Sequence, residues 1–131
     1  MKNVIVTGGL GFIGSNLIEL LLKKKYSVIN IDKNTYSSNF YNVKEFKKNK
    51  NYRYIKCDIA NKNLSKIIFK FKPVGIFNLA AETHVDRSID YSDNFIQTNI
   101  KGVHTLLELI VKYRDIKLIH ISTDEVFGSI K

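Results

Sequence analysis

This 131-residue chain has a single cysteine and no long apolar run. The single cysteine, Cys57, has no second cysteine to pair with, which excludes an internal disulfide and favours a reducing compartment. The first apolar run is Val4-Ile5-Val6, which Thr7 and two glycines bring to an end. That run is too short for a signal peptide or a membrane span, and no later run is long enough to cross a bilayer. We therefore expect a cytoplasmic protein that does not associate with membranes.

Arginine is also scarce. The chain has only Arg53, Arg87 and Arg114 among 21 basic residues, so the remaining 18 (21 − 3) are lysines, and the formal net charge is +9. The lysines are densest at 23–25 and 44–50, which predicts a solvated helix face and a solvated loop. A nucleic-acid surface would combine arginines with interleaved aromatic residues, whereas these three arginines are scattered. We expect no nucleic-acid partner.

Internal repeats, low-complexity segments and interdomain linkers are missing as well. Hydrophobic residues make up 44% of the chain, which indicates a globular protein and excludes an intrinsically disordered one. We therefore expect one domain over residues 1–131. Short apolar runs predict strands at 2–8, 26–32, 52–59, 74–81 and 116–122, and the apolar spacing predicts helices at 12–25, 63–72 and 93–114.

The alternation of these elements predicts an α/β fold. Continuous apolar strands separated by helices indicate a parallel sheet that is covered on both faces. Right-handed crossovers favour an open, doubly wound sheet of the Rossmann type, in which ligands bind outside the carboxyl ends of the strands. Helical spacing also predicts an apolar side on two helices, formed by Ile13, Leu17, Leu20 and Leu21 in the first and by Phe95, Ile96, Ile100, Val103, Leu106, Leu107 and Ile110 in the last.

A glycine-rich turn, "TGGLGFIG" at 7–14, joins the first strand to the first helix. A helix N-terminus attracts a pyrophosphate, which can come close only if no Cβ intervenes. In this context we expect Gly8 to make the tight turn, Gly11 to allow the close approach and Gly14 to let the helix pack on the strand. The alternative is that the glycines only form a turn.

Asp32 ends the next predicted strand, 18 residues after Gly14. A carboxylate there accepts hydrogen bonds from ribose hydroxyls and repels a 2′-phosphate, so NAD is favoured over NADP. Lys33 beside it would soften that repulsion. Asp58, at the end of the third strand, is placed either to reach the adenine or to cap a helix, and Cys57 is interpreted as a core thiol. We expect no metal site.

Five segments of the sequence carry a resemblance to a known family. They are "TGGLGFIGSN", "NIDKNTYSSN", "NLAAETHVDRSI", "FIQTNIKGVHTLLE" and "HISTDEVFG". Their order and spacing are similar to those of the extended short-chain dehydrogenases/reductases, and the third and fifth together resemble the dTDP-glucose 4,6-dehydratases over essentially the whole chain. Sister families such as the UDP-glucose 4-epimerases share the glycine turn but normally lack the Asp-Glu pair.

The resemblance implies binding roles for particular residues. The pyrophosphate of NAD would be lined by Phe12 and Ile13. The adenosine ribose would be lined by Asp32, Lys33, Asn34 and Thr35, and the adenine by Asp58 and Ile59. The residues Leu79, Ala80, Ala81, Glu82 and Thr83 would lie beneath the nicotinamide half, and Thr98 would complete the cofactor site. Thr83 would also contact the sugar of the substrate, dTDP-glucose. His84 and Arg87 are assigned only to loop architecture.

The resemblance also implies a reaction. The family oxidises the glucose C4 hydroxyl, eliminates water across C5 and C6, and returns the hydride to C6, which gives dTDP-4-keto-6-deoxyglucose. Glu125 would be the base, Asp124 the acid, and Thr123 would hydrogen-bond the sugar. Two close carboxylates in a dry site cannot both ionise cheaply, so one keeps its proton. Neighbours in a strand point to opposite faces, so we expect the strand to break near Ser122. The alternative is a solvated acidic strand end.

A catalytic Tyr-x-x-x-Lys pair, which the family carries on a helix after the acidic pair, is not found there. Tyr52/Lys56 lies in a predicted strand, where the two residues would be ~13 Å apart, and Tyr113/Lys117 straddles a helix end and a strand. We reject both.

The chain is therefore expected to be an amino-terminal part of a dehydratase that is truncated after about the fifth strand. We expect it to lack the substrate-binding part and to be inactive alone. The parent protein is expected to be a homodimer. The alternatives are a sugar-nucleotide epimerase or decarboxylase, or an NAD-binding fragment without enzymatic activity.

Overall fold

A single parallel sheet organises the chain. The computed structural model describes residues 1–84, 89 and 91–129, with the backbone alone at Asp124 and Glu125. In this part the strands are β1 (Asn3–Thr7), β2 (Ser27–Asp32), β3 (Tyr52–Lys56), β4 (Gly75–Asn78) and β5 (Lys117–His120), and their spatial order is β3-β2-β1-β4-β5. All neighbouring pairs run parallel. The predicted doubly wound parallel sheet is confirmed.

Helices connect the strands where the apolar spacing predicts them. They are α1 (Phe12–Lys23), α2 (Leu64–Phe71), and a long helical stretch that consists of α3 (Ser92–Phe95), a π-helical segment (Ile96–Gly102) and α4 (Val103–Lys112). Short 3₁₀ helices cover Phe40–Val43 and Asp124–Phe127. Pro73 follows the end of α2, as expected of a residue that cannot continue a helix. Among the described residues, none of the helices has the length and apolar character needed to cross a membrane.

The sheet has one apolar cluster on each face, because successive residues of a strand point to opposite sides. On one face Val4, Val6 and Val28 pack with Ile18 and Leu21 of α1. On the other, Ile5, Ile29, Ile31 and Ile76 pack with residues of α2 and α4. Each fully buried side chain of this size contributes roughly 1.5–3 kcal/mol of transfer free energy. Burial on both faces explains why the strands are continuously apolar.

The predicted apolar side of α1 is partly wrong. Ile13 and Leu20 are 64% and 49% exposed, whereas Gly14, Ser15, Ile18 and Leu21 are buried. A Cβ on Gly14 would collide with the carbonyl oxygen of Gly8. The helix therefore approaches the sheet through its small residues, which apolar spacing does not reveal.

The long helical stretch shows the same deviation. Thr98, Gly102, Leu106 and Leu109 face the sheet, while Ile96, Ile100 and Leu107 are exposed. A Cβ on Gly102 would lie 2.5 Å from the side chain of Ile59. The predicted apolar side is therefore partly wrong: Leu106 and Ile110 pack in the core, but close packing at this glycine leaves Ile96, Ile100 and Leu107 exposed.

Candidate functional site

A cavity of about 310 Å³ opens at the carboxyl ends of the strands. The neighbours of β1 are β2 on one side and β4 on the other, so the chain changes direction across the sheet at this point. In open α/β sheets this position is where ligands bind. The cavity brings together most of the residues predicted for a site, namely Gly8, Gly11, Ile13, Gly14, Asp32, Lys33, Thr35, Asp58, Ile59, Leu79, Ala80, Ala81, Glu82, Thr83, Thr98 and Thr123.

The glycine turn forms one wall of the cavity. Gly8 has a φ of 69°, a left-handed conformation that favours glycine, and its N–H donates to the carbonyl of Ile31 over 2.9 Å. A Cβ on Gly8 would lie 2.9 Å from the backbone of Leu79 and Ala80. Helix α1 begins next to this turn with no side-chain cap and no acidic residue in its first turn. The amide groups and positive end of the helix dipole are therefore suited to an anionic ligand.

Asp32, at the end of β2, is a buried carboxylate with three protein donors. One oxygen accepts the N–H of Leu10 over 3.0 Å. The other accepts the N–H of Asn34 and the hydroxyl of Ser38, each over 2.8 Å. Donors on both oxygens fix the carboxylate beside the glycine turn. Free lone pairs remain for hydroxyl groups of a ligand.

The side chain of Lys33 extends across the cavity and contacts residues that follow β4. Its ammonium donates to the hydroxyl of Thr98 over 2.7 Å and lies 3.2 Å from a carboxylate oxygen of Glu82. The side chain of Asn99 binds the backbone N–H and carbonyl of Glu82, each over 2.9 Å. The residues predicted for the adenosine and nicotinamide halves of a dinucleotide are thus linked directly.

The segment after β3 forms the far end of the cavity. Asp58 accepts the N–H of Ala60 over 2.9 Å, so it stabilises its own turn and does not cap α2, which begins at Leu64. Ile59 is buried against Gly102. Burial, with a smaller contribution from the charge of Asp58, raises the pKa of the Cys57 thiol. Cys57 packs against the core and is protonated at neutral pH, which fits its interpretation as a core thiol.

Three polar side chains form a row across the carboxyl ends of β1, β4 and β5. The Thr7 hydroxyl donates to Asn78 over 2.5 Å, and the Asn78 amide nitrogen lies 2.9 Å from Nδ1 of His120. The Thr7 oxygen also accepts the N–H of Ala80 over 3.2 Å. This polar row fixes the start of the segment beneath the cavity. No local sequence pattern predicts this row, because its members belong to three different strands.

Strand β5 ends at His120, before Ser122, as the sequence analysis expected. Ser122 and Thr123 line the cavity, and a 3₁₀ turn begins at Asp124. The backbone therefore leaves the extended conformation ahead of the two acidic residues. Their side chains lie outside the described part of the structure.

The rejected tyrosines remain apart from the cavity. Tyr52 belongs to β3, and burial raises its pKa, which is the opposite of what a catalytic base needs. Its hydroxyl accepts a hydrogen bond from Asn30 over 2.9 Å. Tyr113 follows the end of α4, and Lys117 opens β5. None of these residues is among the described residues that line the cavity.

Among the predicted residues whose side chains the structure describes, two lie outside the cavity lining. Phe12 is 80% exposed, and Asn34 adopts a left-handed φ of 61° and contributes its N–H to Asp32. His84 packs its ring against Tyr36 with centroids 5.9 Å apart, whereas Arg87 lies outside the described residues. The lining residues that the sequence analysis missed are Ile31, Ser37, Ser38, Cys57, Ile121 and Ser122. Five of them lie within the quoted motifs at 30–39 and 120–128, and Cys57 directly precedes Asp58, so their place in the sequence is a usable signal.

The strand order, the glycine turn and the acidic residue at the end of the second strand define a dinucleotide-binding protein of the Rossmann class. The model of the family described as GDP-mannose 4,6 dehydratase matches residues 5–131. The chain belongs to this family.

Individual relatives narrow the similarity to particular enzymes. The dTDP-glucose 4,6-dehydratase of Haemophilus influenzae is 44% identical over 141 residues, which cover 99% of this chain and 42% of that protein. The crystal structure of dTDP-glucose 4,6-dehydratase from Bacillus anthracis in complex with NAD matches with a TM-score of 0.88 and 42% identity over 100% of this chain and 40% of its own. The crystal structure of UDP-glucose 4-epimerase from Thermotoga maritima matches with a TM-score of 0.86 and 32% identity. The match covers 99% of this chain and 41% of that protein. The resemblance to dTDP-glucose 4,6-dehydratases is confirmed, and the chain spans about 40% of the length of these proteins.

Proposed function

We propose that the chain binds NAD and forms the cofactor-binding part of a nucleotide-sugar 4,6-dehydratase that acts on dTDP-glucose. The observation that carries the proposal is the buried Asp32 carboxylate, held by three donors beside the glycine turn in one cavity. The relative from Bacillus anthracis, which has NAD bound, shares this part of the fold. We propose further that the protein is cytoplasmic.

The described residues fit NAD. Gly8 and Gly14 allow close backbone packing of the turn against Leu79 and against α1. This packing places the amino-terminal end of α1 at the cavity, where the pyrophosphate would bind. Asp32 would accept the ribose hydroxyls, and Asp58 and Ile59 would flank the adenine. The segment from Leu79 to Thr83, with Thr98, would hold the nicotinamide half. When bound, NAD supplies the hydride acceptor for the C4 position of the sugar and the donor for C6.

The residues after β5 would carry the elimination. Thr83 and Thr123 both line the cavity and would orient the sugar through their hydroxyls. By resemblance, Glu125 would remove the C5 proton, and Asp124 would donate a proton to the departing C6 hydroxyl. The support for these two roles is their position: they follow Thr123 directly, at the point where the backbone turns out of β5. Adjacent acids at this place favour a dehydratase over an epimerase.

A homodimer of the parent protein is also part of the proposal. Four apolar side chains lie exposed along one side of the long helical stretch: Ile96, Ile100, Leu107 and Val111. An apolar surface of this kind is suited to association with another protein surface.

A hybrid enzyme tests the proposed reaction. Residues 1–131 of this chain replace the matching part of the Bacillus anthracis dehydratase, which shares 42% identity over this region. We expect formation of the 4-keto-6-deoxy product from dTDP-glucose. Glu125→Gln in the hybrid should lower kcat by about 10²-fold or more, because general base catalysis typically contributes 10²–10⁴-fold.

The matched control changes an acidic residue away from the cavity, Glu108→Gln on the exposed side of α4. It should leave the rate of product formation unchanged. A hybrid that folds and binds NAD but gives no product, or one in which Glu125→Gln has no effect, would contradict the proposed reaction.

A further inference from the structure

We propose that Glu82 determines the preference of this chain for NAD over NADP, and that it does so by holding the ammonium group of Lys33. The inference rests on the proposed binding of NAD, and it adds a second specificity-determining residue to Asp32. Glu82 acts through Lys33 and is a positioning residue.

Lys33 occupies a position where a cation would favour NADP. It follows Asp32 directly, and sites that accept NADP place a cation near the 2′-phosphate of the adenosine ribose. Lysine carries a compact charge on a flexible four-carbon stem, so a free ammonium here would turn toward such a phosphate. An unrestrained Lys33 would therefore oppose the selectivity that Asp32 provides.

The structure shows that the Lys33 ammonium has two partners on other segments. It donates to Thr98 over 2.7 Å and lies 3.2 Å from Glu82. The side chains of Lys33 and Glu82 are only 27% and 9% exposed, so solvent and salt screen their attraction less than that of a surface pair. Releasing the ammonium would break an ion pair and a charge-assisted hydrogen bond.

Glu82 is itself fixed by groups other than Lys33. The Asn99 side chain bonds to both backbone groups of Glu82, and the Tyr36 hydroxyl lies 3.4 Å from the second carboxylate oxygen. Asn99 thus holds the backbone of Glu82, and Tyr36 contacts its carboxylate, both independently of Lys33. This arrangement makes Glu82 the residue that retains Lys33.

The charges around the predicted ribose position follow from this arrangement. Asp32 and Glu82 carry two negative charges and Lys33 one positive charge, so the local sum is −1. A 2′-phosphate would meet this negative balance without a cation to bind. In a Glu82→Gln variant the sum is zero, and the ammonium loses its ion pair while it keeps the hydrogen bond to the neutral Thr98 hydroxyl. Both changes favour NADP.

Calorimetric titration tests the proposal. The 131-residue chain is titrated with NAD and, separately, with NADP at the same salt concentration. We expect Glu82→Gln to lower the ratio of the Kd for NADP to the Kd for NAD roughly tenfold, because the Lys33 ammonium can then form one charge-assisted hydrogen bond with the 2′-phosphate. Glu82→Asp keeps the charge but shortens the side chain, so it should give a smaller gain in the same direction. Adding Lys33→Met to Glu82→Gln should remove the gain, because the gain requires the ammonium.

Glu19→Gln is the matched control, since Glu19 pairs with Lys23 over 2.6 Å on the exposed surface of α1. It makes the same change in net charge and should leave both Kd values unaltered. A Glu82→Gln chain that binds NAD but gains nothing for NADP, or whose gain persists with Lys33→Met, would overturn the inference. If the Glu82→Gln chain does not fold, the ratio of the Kd for NADP to the Kd for NAD in the Glu82→Asp chain tests the proposal instead. An unchanged ratio would overturn it. An unmodified chain that binds neither nucleotide would instead overturn the proposed function itself.

Discussion

Single residues in this chain derive their properties from the groups around them. Asp32 has three protein donors, two of them backbone N–H groups and one the hydroxyl of Ser38. These contacts set the position of the carboxylate before any ligand arrives. Preorganisation of this kind reduces the cost of binding, since the side chain need not be ordered by the ligand.

At this scale we predict that Asp32 sets the affinity for NAD. Asp32→Ala should weaken NAD binding about tenfold or more, because charge-assisted hydrogen bonds to the ribose are lost. Asp32→Asn is the matched variant: it keeps the shape of the side chain, removes its charge and should narrow the preference for NAD over NADP. Calorimetric titration gives both constants. If the unmodified chain binds NADP as tightly as NAD, the interpretation of Asp32 is wrong.

Elements are joined at the site by polar contacts between strands. The Thr7, Asn78 and His120 side chains connect β1, β4 and β5 at the edge of the cavity. Asn78 is buried and occupies the middle of this polar row, so it provides the acceptor for Thr7 and the contact to His120. Buried polar groups of this kind stabilise a structure only while all of them have partners.

We therefore predict that Asn78→Leu, which has a similar size, destabilises the fold. It would leave the buried Thr7 hydroxyl without its acceptor, and the free energy of unfolding should fall by about 2–3 kcal/mol. Urea denaturation followed by circular dichroism measures the change. Asn16→Leu, at an exposed position of α1, is the control and should change stability by no more than about 0.5 kcal/mol. Equal effects of the two substitutions would show that the polar row does not stabilise the sheet edge.

The whole molecule carries a formal net charge of +9 that comes mainly from lysines. The site described above uses one of them, Lys33, and pairs it with Glu82. Lys23 pairs with Glu19 on the surface, and Lys44 lies over the ring of Tyr41 at 3.7 Å. These contacts fit solvated helix and loop surfaces.

For the whole molecule we predict weak binding to random duplex DNA that vanishes at physiological salt. Two short lysine runs without interleaved arginines contact few phosphates at once, so the affinity should be low and its dependence on salt shallow. Fluorescence anisotropy with a labelled duplex over a range of salt concentrations measures this. A variant with Lys47, Lys48 and Lys50 changed to Gln should behave as the unmodified chain does at physiological salt. Tight binding with a steep dependence on salt would support a nucleic-acid function instead.

The comparison of sequence and structure is clearest at the helices. The apolar spacing predicts that α1 and the long helical stretch exist, and both do. It places Ile13, Leu20 and Ile100 on the apolar side, yet they are exposed, because glycines at 14 and 102 form the closest contacts. Apolar spacing predicts which side of a helix is hydrophobic. The side that comes closest to its neighbours is set instead by the glycines, which have no side chain to keep the helix at a distance.

The order of strands and helices along the chain, the glycine turn and the acidic residue at the end of β2 can be predicted from sequence, because each depends on residues close together in the chain. Which distant groups meet depends on the tertiary structure. The hydrogen bond from Lys33 to Thr98 spans 65 residues, and the bond from Thr7 to Asn78 spans 71. These contacts exist because β4 lies beside β1 and the segments after β2 and β4 converge at the same edge of the sheet. Local patterns specify the elements, but only the packing of the elements against each other sets the distances between side chains.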